Sequence, residues 1–187
     1  MKITPPARRS SSRQTAEGLE ISIPAKRNIF LMLFLAAWLV GWCFGEVSAT
    51  RELLAGRGNA PDLFLCVWLV GWTIGGAFCL YALLWTLRGR EVIVLRPDSL
   101  VTKRDLWGIG RPREYDILHV SDLRVAPMTW NPHYWSGALY LWGVGGGPIA
   151  FDYGSRTVRF GSGVDEAEAA DIVRELRTRH AFPETAA

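Results

Sequence analysis

Residues 63–87 read LFLCVWLVGWTIGGAFCLYALLWTL, a run of twenty-five without one charged side chain. At 1.5 Å per residue such a helix is roughly 37 Å long, which exceeds the ~30 Å hydrocarbon core of a bilayer. Upstream, residues 28–49 read NIFLMLFLAAWLVGWCFGEVSA, with Glu46 as the single charge. The pair reads as a transmembrane hairpin over 28–88, with helices at about 28–49 and 63–87. A secretory signal peptide does not explain the first block: it starts too far from Met1, it is long, and the second block would still span.

The flanks give an orientation. Lys26 and Arg27 abut the first block, and Arg88 and Arg90 follow the second, whereas the connection balances Arg51 and Arg57 against Glu52 and Asp62. The positive-inside rule then puts both termini in the cytoplasm and predicts a multi-pass protein of the bacterial inner membrane.

Both blocks carry Trp-Leu-Val-Gly-Trp, at 38–42 and again at 68–72, and each copy continues to a further glycine. Gly41 with Gly45 and Gly71 with Gly75 form Gly-x-x-x-Gly steps, the spacing that lets helix backbones approach closely in lipid. These four glycines are the expected helix-packing residues. Trp38, Trp42, Trp68 and Trp72 then offer indoles to a membrane partner, a pigment or lipid. Simple tolerance of bulky apolar residues also accounts for them. Neither block contains histidine, so no pigment metal is expected to be ligated by the hairpin, and no cofactor is expected at all. Glu46, toward the outer end with Arg51 nearby, reads as an interfacial side chain rather than part of a proton path.

Beyond the hairpin the charge is even. The 187 residues carry a net +3, and from residue 89 onward twelve basic side chains face thirteen acidic ones. A surface that binds nucleic acid by counter-ion release needs a basic excess, so nucleic acid is not an expected partner. Cys43, Cys66 and Cys79 all lie in the apolar blocks, without metal-ligand spacing.

Short β-prone runs follow at 91–96, 99–105, 113–118, 122–126, 138–142, 148–152 and 156–160, with turn formers between them. A helix closes the chain. Ser162 with Asp165 suggests its cap, acidic residues fill its first turn and basic ones its last, and Ala169, Ile172, Val173 and Leu176 make one apolar stripe. About seven strands and one amphipathic helix predict a small barrel or sandwich over 89–187, an α+β, mainly-β cytoplasmic domain. Residues 1–18 read as a disordered arm. In 19–27, Leu19, Ile21 and Ile23 alternate with polar residues and suggest a strand that could pair with an edge of that domain.

The order hairpin, strands, helix resembles the pleckstrin-homology-like domains of bacterial membrane proteins. The stretch FDYGSRTVRFGSGVDEAEAADIVREL, residues 151–176, resembles their closing hairpin and helix. The resemblance implies an interaction or assembly module, in some members tied to photosynthetic or secretory machinery, with no catalytic motif to carry over.

No enzyme signature stands out. Gly161-Ser162-Gly163 sits between a strand and a helix, but the acidic residues after it repel phosphate and the Walker lysine is missing. The histidines are scattered and no nucleophile elbow occurs. Residues 127–148, PMTWNPHYWSGALYLWGVGGGP, crowd aromatics into a glycine- and proline-rich stretch. Trp130, Tyr134, Trp135 and Trp142 there are the expected cytoplasmic interface, although such rings could equally fill a small core. The expected function is a non-enzymatic accessory subunit or assembly factor of a larger membrane complex, photosynthetic or respiratory, whose partners are other membrane subunits and the bilayer. The alternative is a lipid-binding module at the membrane surface.

Overall fold

The computed structural model describes residues 8–55, 61–126 and 146–183. The order of elements is β1 (Ser11–Thr15), β2 (Gly18–Pro24), α1 (Ile29–Leu54), α2 (Pro61–Arg88), β3 (Gly89–Leu95), β4 (Ser99–Leu106), β5 (Pro112–Asp116), β6 (Val120–Val125), β7 (Ile149–Tyr153), β8 (Arg156–Phe160) and α3 (Glu166–Arg179). A 3-10 turn, Ile117–His119, links β5 to β6. The chain divides into two compact units, the hairpin of residues 27–87 and a β unit formed by the segments on either side of it.

Both hairpin helices are long and apolar enough to cross a membrane, and only 6% of each candidate span is buried. Their outward side chains include Phe30, Phe44, Leu63 and Phe64, each more than two-thirds exposed. Helices that are hydrophobic all round suit lipid rather than water. Asn28 starts α1, its side-chain oxygen accepting from the Leu31 N–H at 3.2 Å.

The β unit holds two antiparallel sheets, ordered β1-β2-β3-β4-β5 and β6-β7-β8 among the described residues. β2 precedes the hairpin and β3 follows it, yet the two are paired, Pro24 opposite Arg90 and Leu19 opposite Leu95. The hairpin is therefore an insertion between two neighbouring strands. The ladder runs up to the junction, where the Ala25 N–H donates to the Gly89 carbonyl at 2.9 Å. Leu19, Ile21 and Ile23 are buried, as their alternation predicted, and join Ile93, Leu95, Leu100, Phe151 and Phe160 in the core. Helix α3 adds its stripe of Ala169, Ile172, Val173 and Leu176. Burying aliphatic side chains of this size contributes roughly 1.5–3 kcal/mol each.

Two sequence expectations change. The arm over 1–18 is structured from Arg8: residues 11–15 form β1 against β2, and the Arg9 N–H, the Ser10 N–H and the Ser10 hydroxyl all donate to the buried Glu168 carboxylate at 2.6–2.7 Å. Asp165, not Ser162, caps α3 by accepting from the Glu168 N–H at 2.8 Å. Ser162 is drawn away because its hydroxyl donates to Glu91 at 2.9 Å. The strand expected over 138–142 lies outside the described residues.

Candidate functional site

The hairpin closes through its tryptophans rather than through a glycine–glycine seam. The Trp42 indole N–H donates to the Trp72 carbonyl at 3.1 Å. In an α-helix that carbonyl already accepts from the N–H four residues on, that of Gly76. Only glycine at 76 leaves the carbonyl open from the side: a Cβ there would lie 2.0–2.4 Å from three atoms of the Trp42 ring. Trp72 in turn lies over Gly45, whose added Cβ would meet its ring at 3.7 Å. One rung further along, the Thr73 hydroxyl donates to Glu46 at 2.6 Å and also lies 2.8 Å from the Leu69 carbonyl. Glu46 therefore joins the two helices.

This corrects the glycine assignment. Nothing lies within 4 Å of a Cβ built at Gly41, Gly71 or Gly75; of the four expected packing glycines, Gly45 alone faces the other helix. The seam is rotated by one residue, to Gly76 in place of Gly75. The physical reason is that an indole gains more from filling a glycine notch and bonding a carbonyl than two glycines gain by touching. An indole N–H in apolar surroundings needs an acceptor, and a carbonyl of the facing helix supplies it.

Gly71 and Gly75 are thereby left on an open face. With Trp38, Trp68, Trp72 and Phe78 they line a groove of about 530 Å³. Trp72 stacks on Trp68 with ring centroids 4.7 Å apart, and Trp38 lies 6.0 Å from Trp72 on the facing helix. Three of the four predicted tryptophans thus form a ladder along the groove, and Trp42 is spent on hairpin closure. Trp130, Tyr134, Trp135 and Trp142 lie outside the described residues.

The β unit holds its polar groups in a different way. Glu91 is buried at the edge of the core and accepts from the Gly161 N–H at 2.5 Å, the Ser162 N–H at 3.3 Å and the Ser162 hydroxyl, with Arg104 at 3.5 Å. This carboxylate, with Glu168, ties distant segments together. Sequence reading missed both, because their partners lie 70 and 158 residues away. Asp105 is lowered from the usual carboxylate value by hydrogen bonding to Lys103 and Arg90, which outweighs its burial. Asp152 is likewise lowered by Arg124 and Thr157. Each is a paired carboxylate inside a network. Among the described residues no three His, Cys, Asp or Glu side chains group as a metal would need.

Compared with protein-family models, curated proteins and solved structures, the chain matches none. The candidate site therefore rests on its own geometry: an apolar groove floored by Gly71 and Gly75 and walled by Trp38, Trp68 and Trp72.

Proposed function

We propose that the chain is a non-enzymatic accessory subunit or assembly factor of a larger complex in the bacterial inner membrane. The hairpin spans twice, both termini are cytoplasmic, and the β unit, read as pleckstrin-homology-like, meets partners on that side. The sheet order, the short closing strand pair and the C-terminal helix support the domain reading. The pairing of β2 with β3 supports the topology, since it holds the two flanks of the hairpin together and so requires an even number of crossings. The basic flanks support the cytoplasmic side.

The observation that carries the role is the uncovered Gly71–Gly75 face. The hairpin closes without it, and small residues on an open helix face let another helix backbone come close, where packing in lipid gains most. The test is photo-crosslinking in native membranes from a benzophenone residue at Phe78, in the groove, and at Phe44, outside it. Discrete protein adducts are expected from Phe78 and lipid adducts from Phe44. Lipid adducts alone from Phe78 would remove the partner from this face. Topology is checked separately: Asn59→Cys, in a background without the native cysteines, should react with an impermeant reagent from outside, and Ser11→Cys should not.

A further inference from the structure

The turn between β4 and β5 is built in a way its local sequence does not favour. The Leu106 N–H donates to the Ile109 carbonyl at 2.9 Å and the Ile109 N–H to the Leu106 carbonyl at 3.0 Å, which leaves a two-residue loop of Trp107 and Gly108. Their φ values are 53° and 85°. Positive φ at both central residues is the type I′ pattern, which selects Asn-Gly or Gly-Gly. A tryptophan in the left-handed region is a true outlier, and such strain persists where the position serves something other than the fold. The indole is not used for packing: Trp107 is 58% exposed and Ile109 81% exposed.

Register fixes where this turn lies in the sheet. Leu106 is paired with Gly89, the residue that follows the last residue of α2, and Pro24 opposite Arg90 marks the other strand that leads into the hairpin. Neighbouring strands are about 4.8 Å apart, so the turn is within about 10 Å of the point where the chain leaves a membrane span. The charge around that sheet end is basic. Lys26, Arg88, Arg111 and Arg113 are exposed, without a salt-bridge partner among the described residues. The one acidic side chain on β4, Asp105, is already held between Arg90 and Lys103.

We infer that the Trp107–Ile109 turn is an interfacial anchor: it seats its two apolar side chains at headgroup level in the bilayer the hairpin spans, with Arg111 and Arg113 against anionic lipid phosphates. Tryptophan favours that depth, since its ring is apolar and its N–H stays wet. Basic side chains within a Debye length of an anionic leaflet are attracted to it. The inference rests on the membrane reading of the hairpin and not on any partner.

The test uses the full chain in nanodiscs of about 7:3 phosphatidylcholine to phosphatidylglycerol, the anionic share being what attracts the arginines. An NBD probe is placed singly at Ile109→Cys, at Asp98→Cys, which lies in the turn at the opposite end of the same sheet, or at the native Cys66 in α2. Lipids spin-labelled near the headgroup should quench the probe at 109 at least about twofold more than the one at 98. Arg111→Glu with Arg113→Glu should bring the signal at 109 down toward that of the control. If Cys66 is quenched by deep spin labels and 109 behaves like 98, the hairpin spans and the anchor is wrong. If 109 is shielded from aqueous iodide yet untouched by lipid labels, the turn meets protein, which also overturns the proposal. If Cys66 itself escapes lipid quenching, the membrane reading fails and the anchor with it.

Discussion

The hairpin and the β unit solve opposite packing problems. In the β unit, apolar side chains leave water, and the polar groups caught inside are satisfied by two buried carboxylates, Glu91 and Glu168. In the hairpin most apolar side chains stay outside, and two polar links join the helices beside the Trp–Gly contacts: an indole on a carbonyl and a threonine on a glutamate. On the membrane reading, lipid tails supply no hydrophobic drive between helices, and fit and hydrogen bonds decide the seam. The same residue types thus carry opposite weight in the two units. A buried glutamate is a latch in one, and a missing Cβ is the closing contact in the other.

The largest effect should come from the latch. Glu91→Ala leaves two backbone N–H groups and a hydroxyl without their acceptor and removes the carboxylate beside Arg104. Removing one partner of a buried charged network costs about 3 kcal/mol or more. Amide exchange in the detergent-solubilised chain should show the β unit opening far more often, while the hairpin amides keep their protection. Glu91→Gln retains one acceptor oxygen and should lose roughly half as much. A Glu91→Ala protein with wild-type exchange would show that the latch contributes nothing.

Next is the seam. Gly76→Leu drives a side chain into the Trp42 ring, and overpacking of this kind costs about 1–3 kcal/mol. Gly71→Leu meets nothing and should leave hairpin closure within about 0.5 kcal/mol of wild type. Distances between spin labels on α1 and α2 distinguish the two variants. Should Gly71→Leu separate the helices and Gly76→Leu not, the expected Gly-x-x-x-Gly seam is right and the rotated one wrong.

The seam also marks the limit of sequence reading. The hairpin was legible because length and apolarity are local, and β2 was legible because Leu19, Ile21 and Ile23 alternate. The choice between Gly75 and Gly76 depends on how the two helices are rotated, which neither sequence copy encodes alone. β1, SSRQT, carries no apolar residue and exists because β2 offers it an edge. The Glu91 and Glu168 latches join residues far apart in the chain. The Trp107–Gly108 turn carried no such signal: the strand-like runs end at 105 and resume at 113, and only the pairing of Leu106 with Ile109 narrows that gap to two residues.

A smaller effect separates the units by pH. Asp105 and Asp152 have folded-state pKa values below their unfolded ones, so they bind protons less readily when folded. Their contribution is present in full above the unfolded value, near pH 4, and is lost as pH falls through the lower folded values. The β unit should therefore lose stability on acidification below about pH 4. Asp152→Asn should cost about 1 kcal/mol at neutral pH and flatten that acid limb. Thermal unfolding followed by near-UV circular dichroism between neutral and acid pH reads both. An acid limb unchanged in the doubly substituted Asp105→Asn, Asp152→Asn protein would assign it to other groups.

The smallest effect is a gain. Trp107 holds a left-handed conformation that costs a non-glycine residue about 1 kcal/mol, and it is mostly exposed, so its ring returns little of that through packing. Trp107→Asn places at 107–108 the pair most favoured in a type I′ turn. In detergent, where no bilayer surface is offered, this variant should be more stable than wild type by about 0.5–1 kcal/mol. In nanodiscs the comparison changes sign if the tryptophan is seated in the interface, because the asparagine cannot replace its apolar contact. Amide exchange of β4 and β5 in both media gives the two numbers. A variant less stable in detergent would mean that Trp107 packs within the fold and that its backbone strain serves stability. Equal gains in detergent and in lipid would mean that the turn stands clear of the membrane, and its strain would then have no function tied to the bilayer.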